Sequence, residues 1–345
     1  MGTFVSGIEL SRRHYDEEVR PLLDSRFGAI PHSAALLGRG SEVLGYDDEM
    51  STDHDWGPRV LLFLSEEDFD ARGAALQAEL EQARSSRGTG RDQPTDEVHT
   101  LRAWFHRELA WDVDVEPAVV DWLTMPEHTL LTITSGAVFH DEVGLGRVRE
   151  RLAYYPRDVW LYLMVAGWWR IHPEMNLVGR TGYVGDELGS SLIGSRLVAD
   201  IMRLCFLVER QYAPYSKWFG TAFARLACGP RMTPVLQRVM RAPTWQERER
   251  ALATAYEHLA EMHDGLGLTP AATGEVVQLW DRPFPVAWSS VPDLLFPLIV
   301  DPDVRAVAER WPVGPVDRFR ELVWAPRNRA ALLSVFADLT EPGRP

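Results

Sequence analysis

The 345-residue chain is poor in cysteine, asparagine and, above all, lysine. Two cysteines, Cys205 and Cys228, are too few for a disulfide framework or a Cys-rich zinc module, and read as reduced thiols of a cytoplasmic protein. No run of about 18 apolar residues occurs, so no membrane span is expected. The opening Met1-Gly2-Thr3-Phe4-Val5 has neither the basic start nor the apolar stretch of a signal peptide. Positive charge is scarce too: 36 basic residues face 50 acidic ones, a formal net charge of −14. That balance argues against non-specific nucleic-acid binding, which needs a basic surface. It admits a cationic small substrate, or carboxylates clustered around metal ions. Lys217 is the one lysine among the 36 basic residues and only Asn176 and Asn328 represent asparagine, a bias of the kind genome composition produces. The surviving lysine is worth following for that reason.

What is present is ordinary globular material, 46% hydrophobic and 25% charged. At about 100–200 residues per domain the length suggests two domains. Residues 9–27 read as a surface helix, Ser33–Leu37 as a short strand, and Gly38-Arg39-Gly40-Ser41 as a tight turn leading into a helix start. Val60–Leu64 is apolar throughout and reads as a buried strand, and Ser65 with the acids behind it caps a helix to about Arg84. A Gly/Ser/Arg loop (85–93) precedes a helix over about 95–109. Trp111 to Glu116 alternates apolar and acidic residues, which predicts a strand with Asp112, Asp114 and Glu116 on one face. A helix over about 121–132 and a strand over 136–141 follow. Beyond Gly144 helical periods dominate: about 145–153, 156–172, 186–211, 215–227, 231–240 and 244–264, then a proline-rich tail with helices near 303–311 and 315–338. The expected organisation is α+β: a mixed sheet with helices over residues 1–144, then a mainly helical domain over 145–345.

The most informative segment is Gly40-Ser41 followed, after eleven intervening residues, by Asp53-His54-Asp55. Aspartates at i and i+2 of a strand share a face and repel unless a cation sits between them, and Mg²⁺ with hard oxygen ligands is the usual resolution. A Gly-Ser turn offers unblocked N–H groups and a hydroxyl to phosphate oxygens. Together they describe a metal–nucleotide site. The competing reading makes Asp53-His54-Asp55 a turn cluster capping the next strand. His54 points away from the pair, as a packed or hydrogen-bonded residue or else a base, and Asp47, Asp48 and Glu49 form a solvated loop or meet a cationic substrate.

This pattern resembles the nucleotidyltransferase superfamily: an apolar residue with Gly-[Gly/Ser], about a dozen residues, then Asp-x-[Asp/Glu]. More narrowly, Gly40-Ser41-Glu42-Val43-Leu44-Gly45, Asp53-His54-Asp55-Trp56-Gly57-Pro58-Arg59, Gly136-Ala137-Val138-Phe139-His140-Asp141, Gly185-Asp186-Glu187-Leu188-Gly189 and Tyr212-Ala213-Pro214-Tyr215-Ser216-Lys217-Trp218 resemble a bacterial branch of it known only as a domain of unknown function. The likeness spans roughly residues 10–290. It implies a polymerase-beta-like fold, two Mg²⁺ ions (or Mn²⁺) on Asp53, Asp55 and a third carboxylate from a neighbouring strand, and a nucleoside triphosphate cradled by Gly40 and Ser41. Asp114 suits the third position by pattern, with Asp112, Glu116 and Asp141 as rivals. Lys217, among aromatics, would contact phosphate as a point charge. Arg196, Asp200 and Arg203 share a helix stripe that is either an ion-pair face or a substrate-facing one, and Arg180, Asp186 and Glu187 are further candidates.

The implied reaction is transfer of a nucleoside monophosphate to a hydroxyl of a small polar molecule, such as an aminoglycoside-like compound, or of a protein, with release of pyrophosphate. A non-catalytic nucleotide sensor and a toxin–antitoxin-type nucleotidyltransferase are the competing expectations.

Overall fold

A computed structural model describes residues 4–53, 56–86, 95–270, 276–278, 284–287 and 291–318, with Arg329 and Leu333; of Asp53, Ser86, Gln278, Ala287 and Arg318 it describes the backbone alone. Among the described residues the fold is α+β, with a small mixed sheet and no closed barrel. The chain divides into two compact units. The described residues within 4–117 and 128–153, with Arg329, form the first; those within 118–127 and 154–318, with Leu333, belong to the second.

The first unit is built on a four-stranded sheet in the order β3-β2-β1-β4, where β1 is His32–Leu36, β2 Leu61–Leu64, β3 Glu97–Thr100 and β4 Ala137–Asp141. β1 runs antiparallel to β2 and β4, while β3 runs parallel to β2. One face is closed by helices Gly7–His14 and Arg20–Phe27, joined through a π-turn at Tyr15–Val19, and by helix Ala74–Ser86. Tyr15, Val19, Leu23, Leu76 and Leu80 pack there on Ala34, Leu62, Leu64 and Val98. These are the alternate residues of each strand, as the two-residue side-chain period requires. On the opposite face Phe63 meets Trp104, and Trp104 meets Phe105, in edge-to-face contacts with centroids 5.7 and 5.0 Å apart.

Two expectations fail here for local reasons. The stretch 95–109 is not one helix: its first part is β3, and helix Leu101–Leu109 starts at Thr100, whose hydroxyl accepts from the Ala103 N–H. Residues 111–116 form a turn and not a strand. The Asp112 carboxylate accepts from the Asp114 N–H at 3.0 Å, the self-capping that favours aspartate in turns. Alternation there reflects Trp111 and Val113 buried beneath the turn, while Val115 is exposed.

The second unit is helical, with two-stranded β5 (Val276–Gln278) and β6 (Pro285–Ala287) beside it. Helices Arg157–Ile171, Glu187–Val208, Ser216–Arg225, Gly229–Arg241, Trp245–Asp264 and Pro302–Arg310 match the periodic segments of the sequence, and Leu177–Tyr183 adds a short one. The helix expected over 121–132 is split into Val119–Thr124 and Glu127–Thr134, because Pro126 cannot donate and biases Met125 to an extended conformation. Of the helix expected over 315–338, all but Pro315–Arg318, Arg329 and Leu333 lies outside the described residues. Cys205 is buried, and both cysteines are free thiols. Among the described residues no helix is long and apolar enough to cross a membrane.

Candidate functional site

The glycine turn leaves the sheet at the end of β1. Gly38 and Gly40 adopt φ of +81° and +110°, a region that costs any L side chain strain, so both positions demand glycine. The Gly38 N–H donates to the Thr132 carbonyl at 3.1 Å, tying the turn's entry to helix Glu127–Thr134. Residues 41–45 then form consecutive hydrogen-bonded turns, with Leu44 and Tyr46 N–H groups donating to the Ser41 carbonyl and Gly45 N–H to Glu42. The helix expected after Ser41 does not develop, because Gly45 at φ +65° reverses the chain after one turn. Among the described residues no acceptor meets the N–H groups of Gly40, Ser41 and Glu42. Successive unpaired amides are the backbone feature that binds anions, and those of exposed Gly40 and half-buried Ser41 are open to one.

Beneath the turn lies an ion pair that the sequence alone did not single out. Glu42 is 1% exposed, and its carboxylate occupies the place a Cβ on Gly40 would take. Arg59 donates to it through Nη1 and to the Arg39 carbonyl through Nη2, joining the turn to the segment leading into β2. The pairing neutralises a carboxylate that would otherwise repel any anion held by the turn. Trp56 donates through Nε1 to Asp47, which also accepts the Gly7 N–H at 2.7 Å, so Asp47 is structural rather than a loose loop acid.

Ser41 Oγ donates to Ser51 Oγ at 3.3 Å, and the Asp48 carboxylate accepts from the Met50 and Ser51 N–H groups at 2.9 and 3.1 Å. This network brings the glycine turn against the 3₁₀ turn Glu49–Asp53. Asp53 therefore ends a 3₁₀ turn and not a strand, and the shared-face argument from strand alternation does not apply to it. Its side chain, with His54 and Asp55, lies outside the described residues.

Asp114 sits in the 111–116 turn, where Arg102 binds both it and Asp112, the latter at 2.6 Å. Glu116, 81% exposed at its side chain, pairs with Arg151 at 3.1 Å. Asp141 accepts from the Ser33 hydroxyl and from the N–H groups of Gly144, Leu145 and Gly146, at 3.0, 3.0 and 2.8 Å. Burial would raise its pKa, but these donors outweigh it and hold the carboxyl below the usual range. Asp141 thus anchors the start of helix Leu145–Arg151.

The carboxylate that does stand on a strand beside β2 is Glu97, at the start of β3, inside a segment the sequence presents as helix. Ala35, Leu61 and Glu97 form one row across β1, β2 and β3, at the end of the sheet where β1 runs out into the glycine turn. Glu97 accepts from His99 at 2.7 Å and from Arg107 at 3.0 Å. The His99 hydrogen bond, then Arg107, overcome desolvation and pull its pKa to about 2. The β-branched residues Val98 and Thr100, two apart, were the available signal for this strand.

Lys217 belongs to the second unit. It lies exposed in the first turn of helix Ser216–Arg225, its ammonium 4.9 Å from the Trp218 ring centroid. The stripe on helix Glu187–Val208 is occupied within that unit: Arg196 pairs with Glu174 at 2.8 Å, Asp200 with Arg170 at 3.0 Å, and Arg203 lies over the Phe219 ring at 5.2 Å. Asp186 caps that helix by accepting the Gly189 N–H at 2.7 Å, Glu187 accepts the Trp245 N–H at 3.0 Å, and Arg180 donates to Asn176 at 3.4 Å. These three are accounted for by packing and capping.

No curated protein matches the chain. Residues 122–219, less than a third of it, match a family described as a domain of unknown function (DUF4037). The matched stretch contains Asp141, Arg203 and Lys217, and none of Gly40, Ser41, Asp53, Asp55, Glu97 or Asp114.

Proposed function

We propose that the protein is a Mg²⁺-dependent nucleotidyltransferase that moves a nucleoside monophosphate from a nucleoside triphosphate to a hydroxyl of a small polar molecule or a protein. The observation that carries this reading is the glycine turn, with the open amides of Gly40 and Ser41 beside the Ser41 hydroxyl and a buried Glu42 whose charge Arg59 cancels. That arrangement favours the terminal phosphates of a nucleotide. Asp53 and Asp55 supply hard oxygen donors suited to Mg²⁺, which when bound would neutralise charge on the transferring phosphoryl group. Glu97 is the preferred third carboxylate because it stands on the strand beside β2 while Asp114 stands in a turn, and metal binding there would displace its contacts with His99 and Arg107.

In the proposed reaction the acceptor oxygen forms a bond to the α-phosphorus as the bond to the bridging oxygen of pyrophosphate breaks. The acceptor proton passes to a carboxylate of the site. The turn amides and the Ser41 hydroxyl hold the departing pyrophosphate. A nucleotide sensor is the second reading, favoured by the capture of Asp114 in an ion pair.

Pyrophosphate release from ATP, GTP, CTP and UTP with Mg²⁺, over a panel of aminoglycosides, polyols and proteins, tests the proposal. Asp53→Asn with Asp55→Asn is expected to abolish release, and Glu97→Gln to lower it at least 100-fold, on the order of 3 kcal/mol of transition-state stabilisation. Asp114→Asn is expected to leave it within about threefold. Tight nucleotide binding without pyrophosphate release from any acceptor mixture would instead establish the sensor.

A further inference from the structure

The opposite end of the sheet carries a second group of chemistry-bearing side chains, which the proposed reaction does not use. His32 begins β1, and His140 lies near the end of β4 with Glu142 just beyond it. Ala34 pairs with His140 and Ser33 with Asp141 across the antiparallel ladder, which sets His32 diagonal to His140 on one face and opposite Glu142. The Glu142 N–H closes the ladder by donating to the His32 carbonyl at 3.0 Å. The two imidazole centroids are 4.6 Å apart.

From this convergence we infer that His32, His140 and Glu142 form a binding site for one zinc ion or a similar borderline divalent metal. One nitrogen from each imidazole and one Glu142 oxygen lie within 4.8 Å of one another. Donors of a tetrahedral zinc stand roughly 3.3–3.5 Å apart. Glu142 is already 3.0 Å from His140 Nε2, so the remaining closure is about an ångström of side-chain rotation at the half-exposed His140 and exposed Glu142. Two imidazoles and one carboxylate select zinc over Mg²⁺, which prefers an all-oxygen shell.

The surroundings orient the ligands as a metal site requires. His32 Nδ1 donates to the Ile30 carbonyl at 2.9 Å, which fixes the tautomer and leaves the Nε2 lone pair facing inward. Tyr15 Oη, brought to the sheet by the π-turn, now donates to that nitrogen at 2.9 Å. Metal binding exchanges this one neutral hydrogen bond for a metal–nitrogen bond. Tyr15 also stacks on His140, with centroids 6.4 Å apart, and so positions both rings. Asp141 is excluded as a ligand because Ser33 and three amides consume its oxygens, yet that anchoring holds the strand end that presents Glu142. Three protein ligands leave a fourth position for water on the exposed side.

The full chain, stripped with chelator and held in millimolar Mg²⁺ to saturate the aspartate pair, is titrated with Zn²⁺ by calorimetry and with Co²⁺ by visible absorption. One equivalent is expected, with the intense band of four-coordinate cobalt. His140→Gln, at a half-exposed position that leaves the core intact, is expected to weaken binding about 100-fold, and Glu142→Gln about 10-fold. Asp53→Asn with Asp55→Asn is expected to leave binding unchanged, which separates this site from the proposed nucleotide site. Absence of stoichiometric binding, unchanged affinity in His140→Gln, or loss of binding in the aspartate variant would each overturn the assignment.

Discussion

Replacing Arg59 by Met tests the buried pair beneath the glycine turn. Glu42 is 1% exposed and the Arg59 side chain 11%, so the pair is largely out of water. Removing the cation strands a buried carboxylate, a change that costs ~3–5 kcal/mol. It also frees the Arg39 carbonyl that Arg59 Nη2 holds. The two units preclude treating denaturation of the whole chain as one transition, so the readout must be specific to the first. Hydrogen exchange at the amides of β1 and β2 meets that need, since central strand amides open only with their cooperative unit. At 1.36 kcal/mol per decade, exchange at Ala34 and Leu62 should accelerate about 150- to 5,000-fold. The double variant Glu42→Leu with Arg59→Met should recover most of the loss, because an apolar pair of similar volume strands no charge. An acceleration below fivefold in Arg59→Met, or no recovery in the double variant, refutes the account of the turn.

Gly40→Ala places a Cβ onto the Glu42 carboxylate at a left-handed φ, and is expected to destabilise the first unit by at least ~2 kcal/mol by the same exchange assay. Gly38→Ala, where the nearest atom to the new Cβ is 3.6 Å away, should cost only the backbone strain of ~1–2 kcal/mol. Burial raises the pKa of Glu249, 6% exposed, to about 7, and its Oε1 has no hydrogen-bond partner. The folded state then holds a proton the unfolded state releases above about 4.5, so stability of the second unit should fall by up to ~3 kcal/mol as pH rises from 4.5 to 7; Glu249→Gln should flatten that slope when it is read from hydrogen exchange, corrected for the intrinsic pH dependence of exchange, at amides of helix Trp245–Asp264. Glu97 is the reverse case: its stabilising contribution is complete above about pH 4.5 and lost as pH falls towards 2, and carboxyl NMR should place its titration near that lower value.

Three of the four strands of the first unit's sheet and most helices were legible in the chain itself, whereas β5 and β6, in the proline-rich tail, were not. Val60–Leu64 is too uniformly apolar and too short for anything but a buried strand, and the long helices carry their period openly. β3 was hidden because Glu97–Thr100 is four residues long and abuts the helical run from Leu101 without a break. The 111–116 segment misled for the opposite reason: it alternates without any neighbouring strand to pair with, and an Asx turn satisfies its backbone instead.

The candidate site divides along the same line. Gly38, Gly40 and Ser41 are readable because glycine at a positive φ and a small hydroxyl residue are demanded by local backbone geometry, which a few adjacent residues determine. The pairing of Arg59 with Glu42, the row that carries Glu97 to the turn's end of the sheet, and the meeting of His32 with His140 and Glu142 join residues 17 to 110 positions apart. Such contacts depend on strand order and register, which no local pattern encodes. Only the folded sheet decides which of the fifty acids stand beside a cation, a helix end or one another.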